Sequence, residues 1–80
     1  MMKIKLRILS PEKEVLSTEA DLVELPGTLG RFEVLRDHAP LISTLEAGVI
    51  RYVQGGRSHE VECKPGFAEV RNNVVTVCIG

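Results

Sequence analysis

Residues 49–80 read VIRYVQGGRSHEVECKPGFAEVRNNVVTVCIG, and this stretch decides the predicted fold. It contains short runs rich in β-branched and aromatic residues, separated by residues that are typical of tight turns. Gly55-Gly56 and Asn72-Asn73 tolerate the positive φ angles of hairpin turns. Lys64-Pro65-Gly66 suits a type II turn, in which the glycine takes a positive φ. The pattern predicts a meander of four strands.

The N-terminal end of the chain also predicts a strand. From Lys3 to Ile8, basic and apolar residues alternate strictly, so three apolar side chains lie on one face and three cations on the other. His59, Val61 and Cys63 alternate with polar residues in the same way. Half-buried strands have this pattern, and the short spacing of the turns favours an all-β fold over alternating strands and helices.

Residues 11–25 fit two structures. A serine, a proline and a glutamate at positions 10–12 are typical of a helix start, and apolar residues recur after them at a helical spacing. The alternative is a turn at residues 10–13 followed by two strands that separate at Ser17-Thr18. The residue pattern alone leaves both structures open.

Length and charge exclude several classes of protein. With 80 residues and 8.8 kDa, we expect a single domain over residues 1–80. The net charge of −1 provides no excess of cations for a nucleic-acid backbone. No apolar run reaches the roughly 18 residues of a membrane-spanning helix, and the N-terminus lacks the apolar core of a signal peptide. We expect a chain that is neither inserted nor exported and that does not bind nucleic acid.

The histidines and cysteines form no recognisable metal or catalytic motif. Cys63 and Cys78 lack the CxxC spacing of a zinc site, so two reduced thiols are expected. His38 stands beside Asp37, as in a general-base pair, but no activated nucleophile accompanies them. The simpler interpretation is that His38 fixes its loop through a ring hydrogen bond.

The glycines of residues 26–30, PGTLG, do not form a phosphate-binding motif. The segment lacks the lysine and the following helix of a phosphate loop, and a tight surface turn explains the glycines equally well. The sequence therefore predicts no catalytic residue, no metal and no cofactor.

Residues 23–50 read VELPGTLGRFEVLRDHAPLISTLEAGVI. They follow the order and spacing of the motif LPGxxGxxGxLxxHAPLLTxLxxGxI at Leu25-Pro26-Gly27, Gly30, Leu35, His38-Ala39-Pro40-Leu41 and Gly48. This segment resembles the N-terminal domain of the epsilon subunit of F-type ATP synthases, and the resemblance continues over nearly the whole chain. The sequence departs from the family pattern at Arg31-Phe32-Glu33 and at Arg36-Asp37, where it is more charged.

The resemblance implies a fold and a function. The fold is a flattened β-sandwich or barrel of about ten short strands, which makes residues 11–25 strands. The function is that of a non-catalytic rotor subunit, which couples the gamma shaft to the membrane c-ring during proton-driven ATP synthesis. Its place is at the cytoplasmic face of the membrane, held peripherally through the complex. The family also has a helical C-terminal arm that restrains ATP hydrolysis, and this sequence ends at Gly80, where the sandwich would end.

The resemblance also suggests which residues make contacts. The candidates for the c-ring are Thr28, Leu29, Gly30 and Arg31, together with Asp37 and His38 if the two loops converge. The candidates for gamma are Leu41, Ile42, Val77 and Ile79. The main alternative is a carrier domain of the biotinyl or lipoyl kind, but such a domain presents a lysine at a hairpin tip, and the tips here are Gly55-Gly56 and Asn72-Asn73. An enzyme that acts through His38 and Asp37 is a third possibility.

Overall fold

A computed structural model describes residues 3–80, and these residues form nine strands and no helix. There is thus no helix in this range that could cross a lipid bilayer. The all-β prediction is confirmed. The strands are β1 (Ile4–Leu9), β2 (Glu14–Ala20), β3 (Leu22–Gly27), β4 (Gly30–Val34), β5 (Leu41–Leu45), β6 (Gly48–Gln54), β7 (Arg57–Cys63), β8 (Gly66–Arg71) and β9 (Val74–Ile79).

The strands form one strongly curled sheet. Their order is β2-β1-β9-β8-β5-β3-β6-β7, and β4 pairs with β3 beside this path. β1 and β9 run parallel, and the other described pairs run antiparallel. The curl brings β2 back to β6, where the Gln54 amide donates to the carbonyl of Glu19 (2.8 Å). The result is a flattened sandwich whose two layers enclose the core.

Alternation along the strands determines which side chains enter the core. Ile4, Leu6 and Ile8 are fully buried on the inner face of β1, as their spacing predicts. On β7, Cys63 is buried and His59 and Val61 are half-buried, so the predicted face is confirmed. Other buried residues are Ala20, Val23, Leu25, Val34, Leu45, Ile50, Tyr52, Ala68, Val70, Val75, Val77 and Ile79.

The segment from residue 10 to residue 25 contains a turn and strands rather than a helix. The turn at residues 10–13 closes through the N–H of Ser10, which donates to the carbonyl of Lys13 (2.9 Å). The predicted break at Ser17-Thr18 is wrong, because β2 continues to Ala20, which pairs with Ile4. The break falls at Asp21, whose N–H donates across to Val53 on β6 (2.7 Å).

The predicted hairpin turns are confirmed, with φ angles of 57° and 80° at Gly55 and Gly56 and of 51° and 61° at Asn72 and Asn73. The predicted role of Gly66 is wrong, because its φ is not positive. It begins β8, and a Cβ atom there would overlap the carbonyl oxygen of Cys78 on β9. Gly66 therefore allows two strands to approach closely.

Candidate functional site

The tip of the β3–β4 hairpin, made of the turn residues 28–29 and the first two residues of β4, 30–31, is here called the tip loop. Gly27 pairs with Gly30, so Thr28 and Leu29 form the end of the hairpin. Gly30 has a φ of 134°, which favours glycine, and Leu29 is fully exposed. A Cβ atom at Gly27 would approach the carbonyl oxygen of Gly30 to 2.7 Å. The two glycines thus permit a turn that holds an apolar side chain out in solvent.

The tip loop is attached to the end of β5. The N–H of Thr28 donates to the carbonyl of Thr44 (3.1 Å), and the two threonine hydroxyls hydrogen bond to each other (2.6 Å). Close by, the N–H of Glu46 donates to the carbonyl of Pro26 (2.9 Å). These bonds fix the position of the loop on the β5 side.

A second attachment is a network of charges on the outer faces of β3, β4 and β6. The carboxylate of Glu24 accepts from Arg51 (2.5 Å) and from the Nε of Arg31 (3.2 Å). Arg31 also donates to the carbonyl of Val49 (2.7 Å). The hydrogen bonds from Arg51 and then Arg31 lower the pKa of Glu24 from 4.5 to about 2.

This network predicts a pH dependence of stability. Because the pKa of Glu24 is lower in the folded state, the unfolded chain takes up a proton first as the pH falls. The stabilisation is therefore present above pH 4.5 and is lost between 4.5 and about 2. We expect Glu24→Gln to lower the melting temperature at pH 6 and to have little effect at pH 2, as measured by circular dichroism across this range.

Two control variants accompany this measurement. Glu12→Gln, in the exposed turn after β1, should leave the difference between pH 6 and pH 2 as in the unmodified chain. Asp21→Asn should also reduce that difference, because the ammonium of Lys3 and then the N–H of Gly55 lower the pKa of Asp21. An unchanged pH profile in Glu24→Gln would show that the network does not stabilise the domain.

Asp37 and His38 make hydrogen bonds that hold their own loop in place. The N–H of Asp37 donates to Oδ1 of Asn73 (2.6 Å), and Nδ2 of Asn73 donates back to Asp37 (3.1 Å). The Nδ1 of His38 donates to the carbonyl of Ala39 (2.7 Å), which confirms that a ring hydrogen bond fixes this loop. Asp37 thus holds the hairpin between β8 and β9 rather than orienting His38 for catalysis.

The two predicted c-ring segments do not converge. The tip loop binds Thr44, near one end of β5, whereas His38 precedes Leu41, at the other end. The ends of a strand of this length lie roughly 13 Å apart. The structure brings Thr28, Leu29, Gly30 and Arg31 together and separates Asp37 and His38 from them.

The four gamma candidates divide into exposed and buried residues. The side chain of Ile42 is 76% exposed and Leu41 is half-buried, whereas Val77 is fully enclosed and Ile79 is 9% exposed. Val77 and Ile79 lie on the inner face of β9, where they alternate with outward residues. These two residues therefore belong to the core, where a partner such as gamma cannot reach them.

An apolar surface that sequence reasoning missed lies on the outer face of the same layer. Its residues, Leu9, Ile42, Phe67 and Cys78, are here called the outer strip. Cys78 pairs with both Leu9 and Phe67, and Phe67 pairs with Thr44, two residues after Ile42. Phe67 is 49% exposed. The signal was present, because Ala68 and Val70 occupy the inner face of β8 and so direct Phe67 outward.

A groove lies at the end of the outer strip. It has a volume of about 420 Å³ and is lined by Leu9, Pro11, Phe67, Cys78 and Gly80, among others. Both cysteines are free thiols, and burial raises the pKa of Cys63. Within residues 3–80, no group of histidine, cysteine and acidic side chains could hold a metal ion.

The fold and these surfaces define the class of protein: a small curled β-sandwich that exposes the tip loop, which is held by hydrogen bonds, and the apolar outer strip. A family model described as "ATP synthase, Delta/Epsilon chain, beta-sandwich domain" matches residues 3–79. The chain belongs to this family, which confirms the resemblance found in the sequence.

Curated relatives agree with this assignment, and a solved structure shares the fold. The ATP synthase epsilon chain of Desulfitobacterium hafniense is 49% identical over 72 residues, which is 90% of this chain and 54% of that protein. That of Maridesulfovibrio salexigens is 41% identical over 75 residues, or 94% and 53%. This chain thus spans about half the length of these relatives. A chain of the mitochondrial ATP synthase of Euglena gracilis shares the fold, with a TM-score of 0.89 at 21% identity, over 96% of this chain and 50% of that one.

Proposed function

We propose that this domain is a non-catalytic subunit of the central stalk of an F-type ATP synthase, which couples the gamma shaft to the c-ring. The observation that carries the proposal is the family match over residues 3–79, together with the names of the relatives. The complex would hold the domain peripherally at the cytoplasmic face of the membrane.

The two surfaces fit the two partners. The outer strip, with Ile42 and Phe67 exposed, offers gamma an apolar surface of the kind found at stable interfaces. The tip loop, with Leu29 at its end, projects from the edge of the sandwich and suits the c-ring. Thr44 lies between the two surfaces, since it binds Thr28 and pairs with Phe67.

Rigidity between the two surfaces supports this role. Torque passes from gamma to the ring only if the element between them does not yield. Hydrogen bonds between β3, β5 and β8 join the tip loop to the outer strip. The close-packed core below these strands resists shear, because small displacements there create voids or overlaps.

Co-purification tests the proposal. The chain is expressed with gamma and the c-ring of the same organism, and the three components are expected to elute together in size-exclusion chromatography. Saturating gamma should raise the melting temperature of the chain by roughly 10–20 °C, since ligand at 100 times its Kd adds about 2.7 kcal/mol to the stability of a small domain.

The result also decides between the proposal and the carrier-domain alternative. A chain that elutes alone, with an unchanged melting temperature at saturating gamma, would overturn the proposal. Intact mass after incubation with a biotin or lipoate ligase should stay unchanged, including at Lys13, the lysine in the turn of the β1–β2 hairpin.

A further inference from the structure

The face that carries the outer strip also carries two charges without an ion-pair partner. Arg7 on β1 and Glu69 on β8 both pair in register with Thr76 on β9, so they flank Thr76 in one row across the sheet. Their side chains are half-buried on the outer face, and neither forms an ion pair within residues 3–80. A half-buried charge gains from an opposite charge nearby, because burial removes part of its solvation. One such cation and one such anion therefore lie on either side of β9.

The next row along the same three strands is apolar. Leu9 on β1 and Phe67 on β8 both pair with Cys78 on β9, and all three belong to the outer strip. In both rows β9 lies at the centre, and the side chains on its two sides suit each other: opposite charges in one row, two apolar groups in the other. A two-fold rotation axis along β9 would exchange these two sides.

We propose that the free domain forms a two-fold symmetric dimer through this face, with the axis running along β9 between the two copies. In an isologous contact of this kind, each residue meets the residue that the axis exchanges with it. Arg7 of each copy then faces Glu69 of the other, and Leu9 of each copy faces Phe67 of the other. Cys78 faces Cys78 of the second copy at the axis. Charge and apolar surface are therefore complementary between two identical faces.

The size of the face predicts a weak dimer. It consists of the five neighbouring strands from β2 to β5, each of five to seven residues. The spacing and rise of β-strands give this face dimensions of roughly 24 by 20 Å. Two such faces bury roughly 1,000 Å² in total, which is the lower end for specific interfaces. The dimer covers the surface that the proposed function assigns to gamma, so self-association and binding of gamma exclude each other.

A third row of residues opposes the dimer. Lys5 on β1 and Arg71 on β8 both pair with Val74 on β9, so the same axis brings these two cations together. The row lies near the ends of the strands, where two sheets that cross at about 30° diverge. Like charges at this edge weaken the dimer without preventing it, and replacing Arg71 by an acid should strengthen the dimer.

Sedimentation equilibrium of the full chain, without gamma, tests the inference. The average mass should rise from 8.8 kDa toward twice that value between low micromolar and millimolar concentrations. Arg7→Glu and Glu69→Arg should each weaken dimerisation about tenfold, because each change turns two attractive pairs into two repulsive ones. An equimolar mixture of the two variants should dimerise like the unmodified chain, since the mixed dimer again has opposite charges in both pairs.

Two further variants carry the same change of charge at other positions. Arg57→Glu, at the far β6–β7 hairpin, is the matched control and should leave dimerisation unchanged. Arg71→Glu should strengthen it severalfold, because it turns the two repulsive pairs with Lys5 into attractive ones. Circular dichroism of each variant at low concentration shows whether its monomer remains folded.

Cross-linking tests the register of the two copies. Sheets packed face to face lie about 10 Å apart, so the Cys78 thiols at the axis lie closer together than that. A short bismaleimide, which adds one thiol at each end, should link two chains through Cys78. Cys78→Ser should remove this product. Cys63→Ser should not remove it, since Cys63 is buried.

Three results would overturn the inference. The mass could stay at 8.8 kDa up to millimolar concentration, so that no dimer forms. The charge reversals at Arg7 and Glu69 could leave a dimer unchanged, or their mixture could fail to restore it, and the two copies would then meet through other residues. A cross-link that survives Cys78→Ser would also exclude the proposed axis. These measurements contain no gamma, so their outcome is independent of the proposed function.

Discussion

Gly66→Ala is expected to lower the melting temperature of the domain by about 12 °C or more. The Cβ atom would overlap the carbonyl oxygen of Cys78 and would lie 3.0 Å from the Cα of Ile79. Both atoms belong to the backbone of β9, so no side-chain rotation relieves the overlap. The strand must move, and β9 also pairs with β1 in the middle of the sheet. We expect a loss of about 3 kcal/mol or more, at the upper end of the cost of overpacking.

Thermal unfolding followed by circular dichroism measures this effect. Gly55→Ala is the matched control, because a Cβ atom there meets nothing within 4 Å and its only cost is the positive φ of 57°. That conformation costs about 1 kcal/mol for alanine. Gly66→Ala should therefore lower the melting temperature far more than Gly55→Ala does. Equal shifts would show that β9 can move away at little cost.

The strands could be predicted wherever one face is buried and the other is solvated. In β1, basic and apolar residues alternate without a break, so the pattern specified both the strand and its buried face. The hairpins at residues 55–56 and 72–73 were predictable for a local reason, since glycine and asparagine tolerate the positive φ that those turns need.

The secondary structure of residues 11–25 could not be predicted from the local sequence, because the residues that they pair with are distant in sequence. β2 is extended because it pairs with β1, with Ala20 opposite Ile4. It ends where Asp21 bonds to Val53, Lys3 and Gly55, two of which lie more than thirty residues away. A helical spacing of apolar residues carries no information about these partners, and only the family resemblance predicted the strands correctly.

The same limit explains what was missed at the site. The sequence identified the tip loop, but the distance between this loop and Asp37-His38 depends on the direction of β5 and on the bonds to Asn73. Gly66 was assigned to a turn because a proline precedes it, whereas its real constraint is a carbonyl group on β9. Val77 was predicted to contact gamma, but its side chain is buried. The face of β9 that is buried is set by the neighbouring strands of the sheet, and the sequence of β9 alone does not specify it.

Ile42→Asp is expected to abolish the stable complex with gamma while the domain stays folded. The side chain is 76% exposed, so a carboxylate at this position is solvated in the free domain and costs little stability. In the complex, the same carboxylate would be enclosed beside the carboxylate of Glu69, which pairs with position 42 on the same face, and it would lose its solvation. The lost apolar burial and the added desolvation together should weaken binding by about 100-fold or more.

Isothermal titration of gamma with the variant chains measures this loss. Phe67→Asp should act in the same way, because Phe67 occupies the same face of the layer, one strand away from Ile42. Leu35→Asp is the matched control, since Leu35 is 50% exposed but lies outside both the outer strip and the tip loop. Gamma should bind that variant normally. If Leu35→Asp weakened binding as much as Ile42→Asp, the gamma surface would include the β4 side of the sandwich. If neither variant weakened it, the outer strip would have no part in the contact, because a buried, unpaired carboxylate cannot be accommodated without cost.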